Sequence, residues 1–493
     1  MKLIQLLKAI RPINLIGPED LEITGLTCHS KKVEPGFLFA ALKGQKYHGL
    51  NFIDEAINRG ALAILSETSP PANWPLTWIE VRDARQALAL LAAEFYGHPS
   101  SSMKVIGITG TKGKTTITYL LESIILKAAG KPAVIGTINY RGPGLFEEAG
   151  RTTPEAPDLQ KMLRIFLDHG ATHAILEVSS HSLSLNRVLG VNFDLAIFTN
   201  LSPEHLDFHS TMEDYFEAKK KLFFLNKKKR TAIVNQDDPW GKRLISELPM
   251  TTITFGFEPE ALIRASHFEL TEKKTKIIIS YPGAEVEIET SLLGQHNIYN
   301  VLAAFAAALA LNIDIRAISE GIKAVQFIPG RLEKIENDLG LSIFVDYAHT
   351  ESALERVLET LRGFKPKRLI VVFGCGGDRD PGKREKMGEV AGRWADLIFV
   401  TSDNPRNEDP MAIIYEIERG IKRTGFKKYF LEPDRRQAIK QALEIARRGD
   451  IVVVAGKGHE GYQEIAGQRF PFNDGQVIRE ILKELAKEPK NGT

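Results

Sequence analysis

The chain has 493 residues, enough for roughly three domains at about 150 residues each, every one able to bury a core, so a lone small module is excluded. Its 64 Lys+Arg residues against 62 Asp+Glu leave a formal charge of +2, which gives no field to draw the whole chain onto nucleic acid or an acidic membrane, and small-molecule chemistry is expected instead. A 43% hydrophobic and 26% charged composition is that of an ordinary globular protein, and two cysteines, Cys28 and Cys375, neither make a disulfide framework nor have metal-ligand spacing, which fits a reducing cytoplasm.

At the amino terminus, residues 1–17 carry apolar side chains interrupted at helical spacing by Gln5, Lys8 and Arg11, which predicts a surface helix and not the unbroken apolar stretch of a secretory leader. Residues 22–99 alternate short strands with helices, as in Gly36-Phe-Leu-Phe-Ala-Ala-Leu and Ala61-Leu-Ala-Ile-Leu, and predict a first small α/β domain. A second series begins at Met103-Lys-Val-Ile-Gly-Ile-Thr-Gly, with apolar strands at 174–178, 195–199 and 231–235 and helical patterns between, the signature of a parallel doubly wound sheet. Alternation over 261–290, with Pro-Gly inside it, predicts a small antiparallel insert. The apolar run 301–311 is too short for the ~20 residues of a bilayer crossing and predicts a buried core helix. After a turn at Pro329-Gly-Arg331, strands at 342–346, 368–374, 396–401 and 450–455 predict a second Rossmann-like domain, and residues 485–493 a polar, frayed tail.

The strongest local signal is Gly107-Ile-Thr-Gly110-Thr111-Lys112-Gly113-Lys114-Thr115-Thr116, directly after a strand and opening a helix. Glycines there let backbone N–H groups close around phosphate oxygens, and the helix amino terminus favours negative charge. Lys114 would reach the β/γ-phosphates and the Thr115 hydroxyl would ligate Mg²⁺. Ile108 stands where the usual pattern has its first glycine, so the loop is a shortened variant; the plain alternative is a glycine-rich turn that binds nothing. Two further strand ends carry Leu176-Glu177-Val-Ser-Ser-His181 and Thr199-Asn-Leu-Ser-Pro-Glu-His205-Leu-Asp207-Phe-His209. Ligands of open α/β sheets sit at such ends, where Glu177 and His205 suit a metal beside ATP, although His181, Asp207 and His209 taken singly read as caps or braces. By composition alone the lysine runs at 219–221 and 226–230 are solvated surfaces.

Taken together, the 110–116 loop, Glu177-Val-Ser-Ser-His, the 200–209 segment, Tyr215 four residues before Lys219, Gly294-Gln-His-Asn297-Ile-Tyr-Asn300, Pro329-Gly-Arg331 and Asp346-Tyr-Ala-His349 occur in the order of the Mur ligases, a family of ATP-dependent amide-forming enzymes that build the peptidoglycan stem peptide. The resemblance spans nearly the whole chain. Arg151-Thr152-Thr153-Pro-Glu, Gly374-Cys-Gly-Gly-Asp-Arg379, Asp403-Asn404-Pro405-Arg406 and Gly456-Lys-Gly-His-Glu460 resemble the MurE type, which adds the third residue to UDP-N-acetylmuramoyl-L-alanyl-D-glutamate.

The resemblance implies three domains: a UDP-binding one over 1–99, a P-loop ATP-binding one over 100–331 with its antiparallel insert, and a Rossmann-like amino-acid-binding one over 332–493. It implies a carbamylated Lys219, which overturns the surface reading of that residue, and a two-magnesium site completed by Thr115, Glu177 and His205. Asn297 and Asn300 would approach adenine, and Arg331 and Asp346 the ribose and phosphates; from the residues alone, capping and a hinge ion pair serve equally well. Thr152, Thr153, Ser179 and Arg187 would hold the dipeptidyl arm, and Ser30, His48 and Gly49 the uridine diphosphate. His29-Ser30-Lys31 and Glu351 depart from the common family pattern at the uridine contacts and the hinge.

The implied reaction uses ATP to convert the glutamate γ-carboxylate into an acyl phosphate, which the amine of meso-diaminopimelate attacks, releasing ADP and phosphate. Arg379, Asp403, Asn404, Pro405, Arg406, Gly456 and Glu460 would receive that amino acid. The expected partners are ATP, Mg²⁺, the UDP-linked dipeptide and meso-diaminopimelate, with no nucleic acid or membrane, acting in the cytoplasm as a monomer. The rivals are the same ligase adding L-lysine, a folylpolyglutamate synthetase, which should lack the first domain, and a silent scaffold, against which the intact Lys114, Glu177 and Lys219 argue.

Overall fold

A computed structural model describes residues 1–44, 47–72, 74–225 and 230–487, and its strands form three main sheets and a separate hairpin. The first sheet runs in the order Asn14–Ile16, Thr77–Glu80, Ala63–Ser66, Phe37–Ala40, Gly25–Thr27, parallel except for its outermost strand. The amino terminus departs from the expected surface helix. Its helix is only Leu3–Leu6, and Leu3 and Leu6 are both fully buried, because Met1 and Leu3 join the backbone of Leu21 and Ile23 and turn the leucines into the core beside Ala84–Phe95.

The central sheet has eleven strands, in the order Ala284–Thr290, Thr275–Tyr281, Ile263–Leu270, Thr252–Gly256, Thr231–Asn235, Leu195–Phe198, Lys104–Thr109, His173–Glu177, Pro132–Ile135, Asn139–Gly142, Leu145–Glu148. Lys104–Thr109 lies between His173–Glu177 and Leu195–Phe198, parallel to both, at the point where the chain reverses its direction across the sheet. Ligand crevices form at such switch points. The predicted insert belongs to the central sheet: Phe255 pairs with Ile263 and Gly256 with Arg264, so its three strands continue one edge of that sheet. The run 301–311 lies in the helix Gln295–Ala310, with Val301 to Ala308 fully buried as expected.

The third sheet orders Glu333–Ile335, Ser342–Asp346, Ile451–Ala455, Leu369–Phe373, Leu397–Val400 and Tyr429–Leu431, with only the first strand antiparallel. Residues 485–487 continue the helix Asp474–Lys487, whereas 488–493 and residues 226–229 lie outside the described residues. Arg230, read with that lysine run as solvated, is instead buried with its guanidinium on the Leu222 carbonyl at 2.8 Å. By its contacts the chain divides into two compact units, Met1–His267 with Ile277–Ile288 and Ile298–Ala324, and Phe268–Lys276 with Glu289–Asn297 and Val325–Thr493.

A fully buried ion pair organises the second unit. Arg435 holds Asp474 with two 2.7 Å hydrogen bonds, and donates to the carbonyls of Ser402 at 3.3 Å and Ala455 at 3.0 Å. It thereby ties together the ends of two strands from which the segments at 403–406 and 456–460 depart. Removing one partner strands the other charge, so Asp474→Ala should lower stability by about 3–5 kcal/mol, whereas Glu320→Ala, which breaks the exposed pair with Arg316, should leave stability close to wild type. Urea unfolding of the two variants checks this.

Candidate functional site

The strand Lys104–Thr109 delivers the chain into a loop that curls before the helix Lys114–Lys127. Gly110 and Gly113 have φ of +140° and +92°, and a Cβ would lie 1.9 Å from the Thr199 hydroxyl at the first and 2.4 Å from Asn300 Oδ1 at the second. Only glycine fits both the backbone and the space. The neighbouring strand end fastens the loop: Thr111 donates to the Asn200 carbonyl at 2.8 Å, Lys112 N–H to Asn200 Oδ1 at 3.0 Å, and the Thr199 hydroxyl to the Lys112 carbonyl at 2.6 Å. Lys114 folds back over the loop, with Nζ 2.9 Å from the Gly110 carbonyl and 3.0 Å from that of Thr111. Thr115 and Thr116 are buried in the first helical turn.

Glu177 ends the strand on the other side. It accepts from the Thr115 hydroxyl at 3.0 Å and from both the hydroxyl and the N–H of Thr137 at 2.9 Å. Lys219, 1% exposed, enters from the helix Met212–Lys220 over the Tyr215 ring and donates to the Gly110 carbonyl at 2.8 Å. Burial, and then the Lys114 charge, hold its amine well below the usual lysine range. Lys112 pairs with Glu204 at 2.9 Å; burial works to raise that carboxyl, but the lysine prevails and brings it down to about 2. His205 is exposed in a left-handed backbone conformation, its ring edge-on to His181 with centroids 4.9 Å apart. His209 is buried against Tyr215 and Asp207 is exposed.

Among the described residues no group of three or more His, Cys, Asp or Glu is arranged to hold a metal ion. The hydroxyl of Thr115 and the carboxylate of Glu177 are nonetheless adjacent hard oxygen donors of the kind Mg²⁺ prefers, and a phosphate chain supplies more. The donor set fits that ion.

On the far side of Glu177 the expected dipeptide residues converge. The Thr137 and Thr152 hydroxyls are 3.1 Å apart, Thr153 donates to the Glu177 carbonyl at 2.8 Å, and Ser179 caps the helix Ser180–Ser184 beside Thr153. Arg187 reaches the Thr153 carbonyl at 3.2 Å and Glu155 at 2.9 Å. Thr137, which links the two halves of this cluster, escaped the sequence reading because the short strand before it was not recognised.

The uridine set is less gathered. Ser30 is buried at the start of a short turn, whereas His48 accepts from Leu50 N–H at 3.2 Å and Gly49 N–H donates to the Leu42 carbonyl at 2.8 Å, with no contact between Ser30 and His48 among the described residues. Asn300 faces Gly113, while Asn297 donates to the Leu293 carbonyl at 2.8 Å in the manner of a cap. Asp346 accepts from Leu332 N–H at 2.7 Å and Ala348 N–H at 2.8 Å, and Arg331 lies 5.0 Å over the Tyr347 ring. Asp346 and Arg331 are thus each engaged with their own loop. Thr350 caps the helix that Glu351 opens.

The amino-acid residues assemble in the second unit. Asp403, Asn404 and Pro405 are buried, Arg406 is 17% exposed, and its Nη1 donates to the Gly377 carbonyl at 2.6 Å while Nε lies 3.8 Å from Glu464. A plain surface Asn-Pro turn is therefore ruled out. Asn404 donates to Glu460 at 2.8 Å, and Gly456 N–H to the Asp346 carbonyl at 3.1 Å. Arg379 alone stands out in solvent, touching only the Asp378 carbonyl at 3.5 Å among the described residues. Lys457 and Glu464 also belong to this cluster, and neither was singled out by sequence: one lay unremarked inside a motif, the other in a hairpin not recognised.

The chain matches three family models in succession: the Mur ligase family catalytic domain over residues 22–96, the Mur ligase middle domain over 108–308 and the Mur ligase glutamate ligase domain over 330–458. It is 43% identical over 508 aligned residues to the UDP-N-acetylmuramoyl-L-alanyl-D-glutamate--2,6-diaminopimelate ligase of Geobacter metallireducens, covering 99% of each chain, and 44% identical to that of Aquifex aeolicus, covering 93% and 94%. A solved structure of a ligase of the same name superposes with a TM-score of 0.71 at 34% identity, over 98% of this chain and 99% of that one. The Mycobacterium tuberculosis folylpolyglutamate synthase shares the fold at 17% identity, with a TM-score of 0.60 over 74% of this chain and 91% of its own. With a phosphate-type loop flanked by Glu177 and Asn200 and a match along its full length, the chain belongs to the Mur ligase family.

Proposed function

We propose that the chain joins meso-2,6-diaminopimelate to UDP-N-acetylmuramoyl-L-alanyl-D-glutamate at the expense of ATP, in peptidoglycan precursor synthesis. The observation that carries this reading is the full-length identity of over 40% to ligases of that name, and the Asp403 to Arg406 cluster supports the choice of amino acid. The loop at 110–116 wraps the ATP phosphates, with Lys114 neutralising charge on the transferred group and Asn297, Asn300, Arg331 and Asp346 serving the rest of the nucleotide. Thr115 and Glu177, with His205 and a modified Lys219, would hold Mg²⁺, which would supply charge neutralisation and alignment of the phosphates.

Lys219 is chemically prepared for its modification. A neutral amine attacks carbon dioxide, forming an N–C bond and releasing a proton to leave a carbamate, and burial favours the neutral form of this amine. Thr152, Thr153, Ser179 and Arg187 hold the dipeptidyl arm so that the γ-carboxylate meets the phosphoryl group. The acyl phosphate that results provides a good leaving group where a free carboxylate has none. The incoming amine then attacks the acyl carbon, and the tetrahedral intermediate collapses with loss of phosphate. Ser30, His48 and Gly49 serve the uridine diphosphate.

Three measurements test this reading. Lys114→Ala should abolish ADP release with the dipeptide and diaminopimelate while leaving circular dichroism unchanged, since the half-buried Lys114 side chain donates to the Gly110 and Thr111 carbonyls and fills no hydrophobic core; near-normal turnover removes it from the mechanism. Lys219→Ala should be almost inactive and partly restored by acetate, whereas Lys220→Ala, which loses the partly exposed pairs to Glu217 and Glu247 and a distant contact with the Phe216 ring, should stay close to wild type; equal damage from both defeats the carbamate. Arg406 can grip the distal carboxylate of diaminopimelate, which lysine lacks, so the wild type should prefer diaminopimelate in kcat/KM by about 10⁴-fold and Arg406→Ala should lose most of that preference. Efficient use of lysine by the wild type refutes the amino-acid assignment.

A further inference from the structure

Lys457 has no solvent exposure, a rare state for a lysine, and it sits among the side chains proposed to receive the amino acid. Its Nζ is 3.0 Å from Asn404 Oδ1, 3.2 Å from Glu460 Oε2 and 3.9 Å from Asp403 Oδ1, with the Tyr462 ring on a further side at 5.7 Å. Asn404 Oδ1 also accepts from Glu464 N–H at 2.9 Å. Two donors on that atom identify it as the oxygen, so Nδ2 must face Glu460, to whose Oε2 it donates at 2.8 Å. Glu460 Oε2 is thus held by two donors, and its side chain keeps 21% exposure through which a ligand can reach the carboxylate. A lone buried carboxylate pair at Asp403 and Glu460 would be costly; burial does raise the Asp403 carboxyl, and Lys457 opposes that rise.

We infer that Lys457 is a positioning residue for the amino-acid substrate: by fixing the Asn404 amide and one oxygen of Glu460, it sets Glu460 Oε1 to accept the distal ammonium of a diamino acid. Without it the Asn404 oxygen keeps only the Glu464 N–H and Glu460 Oε2 keeps only the Asn404 amide, so the carboxylate loses one of the two donors that orient it. The effect falls on one substrate, because the side chains around the Lys457 ammonium, those of Asn404, Glu460, Asp403 and Tyr462, include none proposed to bind ATP or the nucleotide sugar.

This inference rests on the diaminopimelate reading, and the test separates the two. With the purified full chain, Lys457→Met should raise KM for diaminopimelate by about tenfold or more, the loss of a charge-assisted hydrogen bond, while KM for ATP and for the UDP-linked dipeptide stays within about twofold. Lys457→Met/Glu460→Gln, which leaves no uncompensated glutamate even if the single variant folds poorly, should show the same KM for diaminopimelate as Glu460→Gln alone. An unchanged KM in Lys457→Met, a rise shared equally by all three substrates, or multiplying losses in the double variant overturns the inference. A wild type that releases no ADP with diaminopimelate overturns the proposed function and this inference with it, whereas an active wild type with an indifferent Lys457→Met overturns the inference alone.

Discussion

One backbone carbonyl, that of Gly110, accepts hydrogen bonds from the amines of both Lys114 and Lys219, at 2.9 and 2.8 Å, and the chemistry at this end of the central sheet depends on how that convergence is resolved. Two full positive charges about 4 Å apart repel by about 4 kcal/mol at the effective dielectric of a protein surface, and by more where water is excluded. The structure relieves this in two ways. Lys112 is neutralised by Glu204, and Lys219 is driven toward its uncharged form by complete burial. What remains is a half-buried lysine, Lys114, on a glycine loop that opens a helix, an arrangement that an anionic chain of phosphates satisfies and a neutral ligand does not.

Glu177 joins that cradle to the pocket beside it. Its side chain faces the loop through Thr115, while its own carbonyl receives Thr153 and its second neighbour, Ser179, caps the next helix. Because side chain and main chain of one residue face two clusters, the phosphate loop and the Thr152 to Arg187 group are held at a fixed separation by a single strand end. Phosphoryl transfer between bound groups gains most of its rate from such fixed alignment.

Much of this was legible in the sequence because it is local. The strands Thr231–Asn235 and Ser342–Asp346 have the predicted bounds, and the loop, the Glu177 strand end and the Asn200 strand end are neighbours as the alternation of strands and helices requires. What stayed hidden depends on partners distant in the chain. Residues 1–17 read as a surface helix because Gln5, Lys8 and Arg11 interrupt the apolar run, yet the helix ends at Leu6, with Leu3 and Leu6 inside and Met1 and Leu3 bonded to the backbone of Ile23 and Leu21. Lys219 and Lys457 are polar by type and buried by context, each through contacts far away in sequence or across a loop. The insert at 261–290 alternates as a free hairpin does, and nothing in its pattern shows that Phe255 and Gly256 dock it on the sheet.

The amino-acid cluster shows why a motif alone does not fix a geometry. Arg406 and Ala466 both adopt left-handed backbone conformations, with φ of +52° and +49°, and each costs a non-glycine residue on the order of 1 kcal/mol or more. They hold one another there: Arg406 N–H donates to the Glu464 carbonyl at 2.9 Å, and Ala466 N–H to the Arg406 carbonyl at 2.6 Å. Ala466 and Gly467 form the two-residue turn joining Tyr462–Ile465 to Gln468–Pro471, both with positive φ as a tight hairpin demands. The same hairpin carries Glu464, whose N–H fixes the Asn404 oxygen and whose carboxylate lies beside the Arg406 guanidinium. A short hairpin with no chemistry of its own thereby sets both the arginine and the asparagine of the Asp403 to Arg406 segment, and the strain it stabilises keeps the guanidinium against the Gly377 carbonyl instead of in solvent.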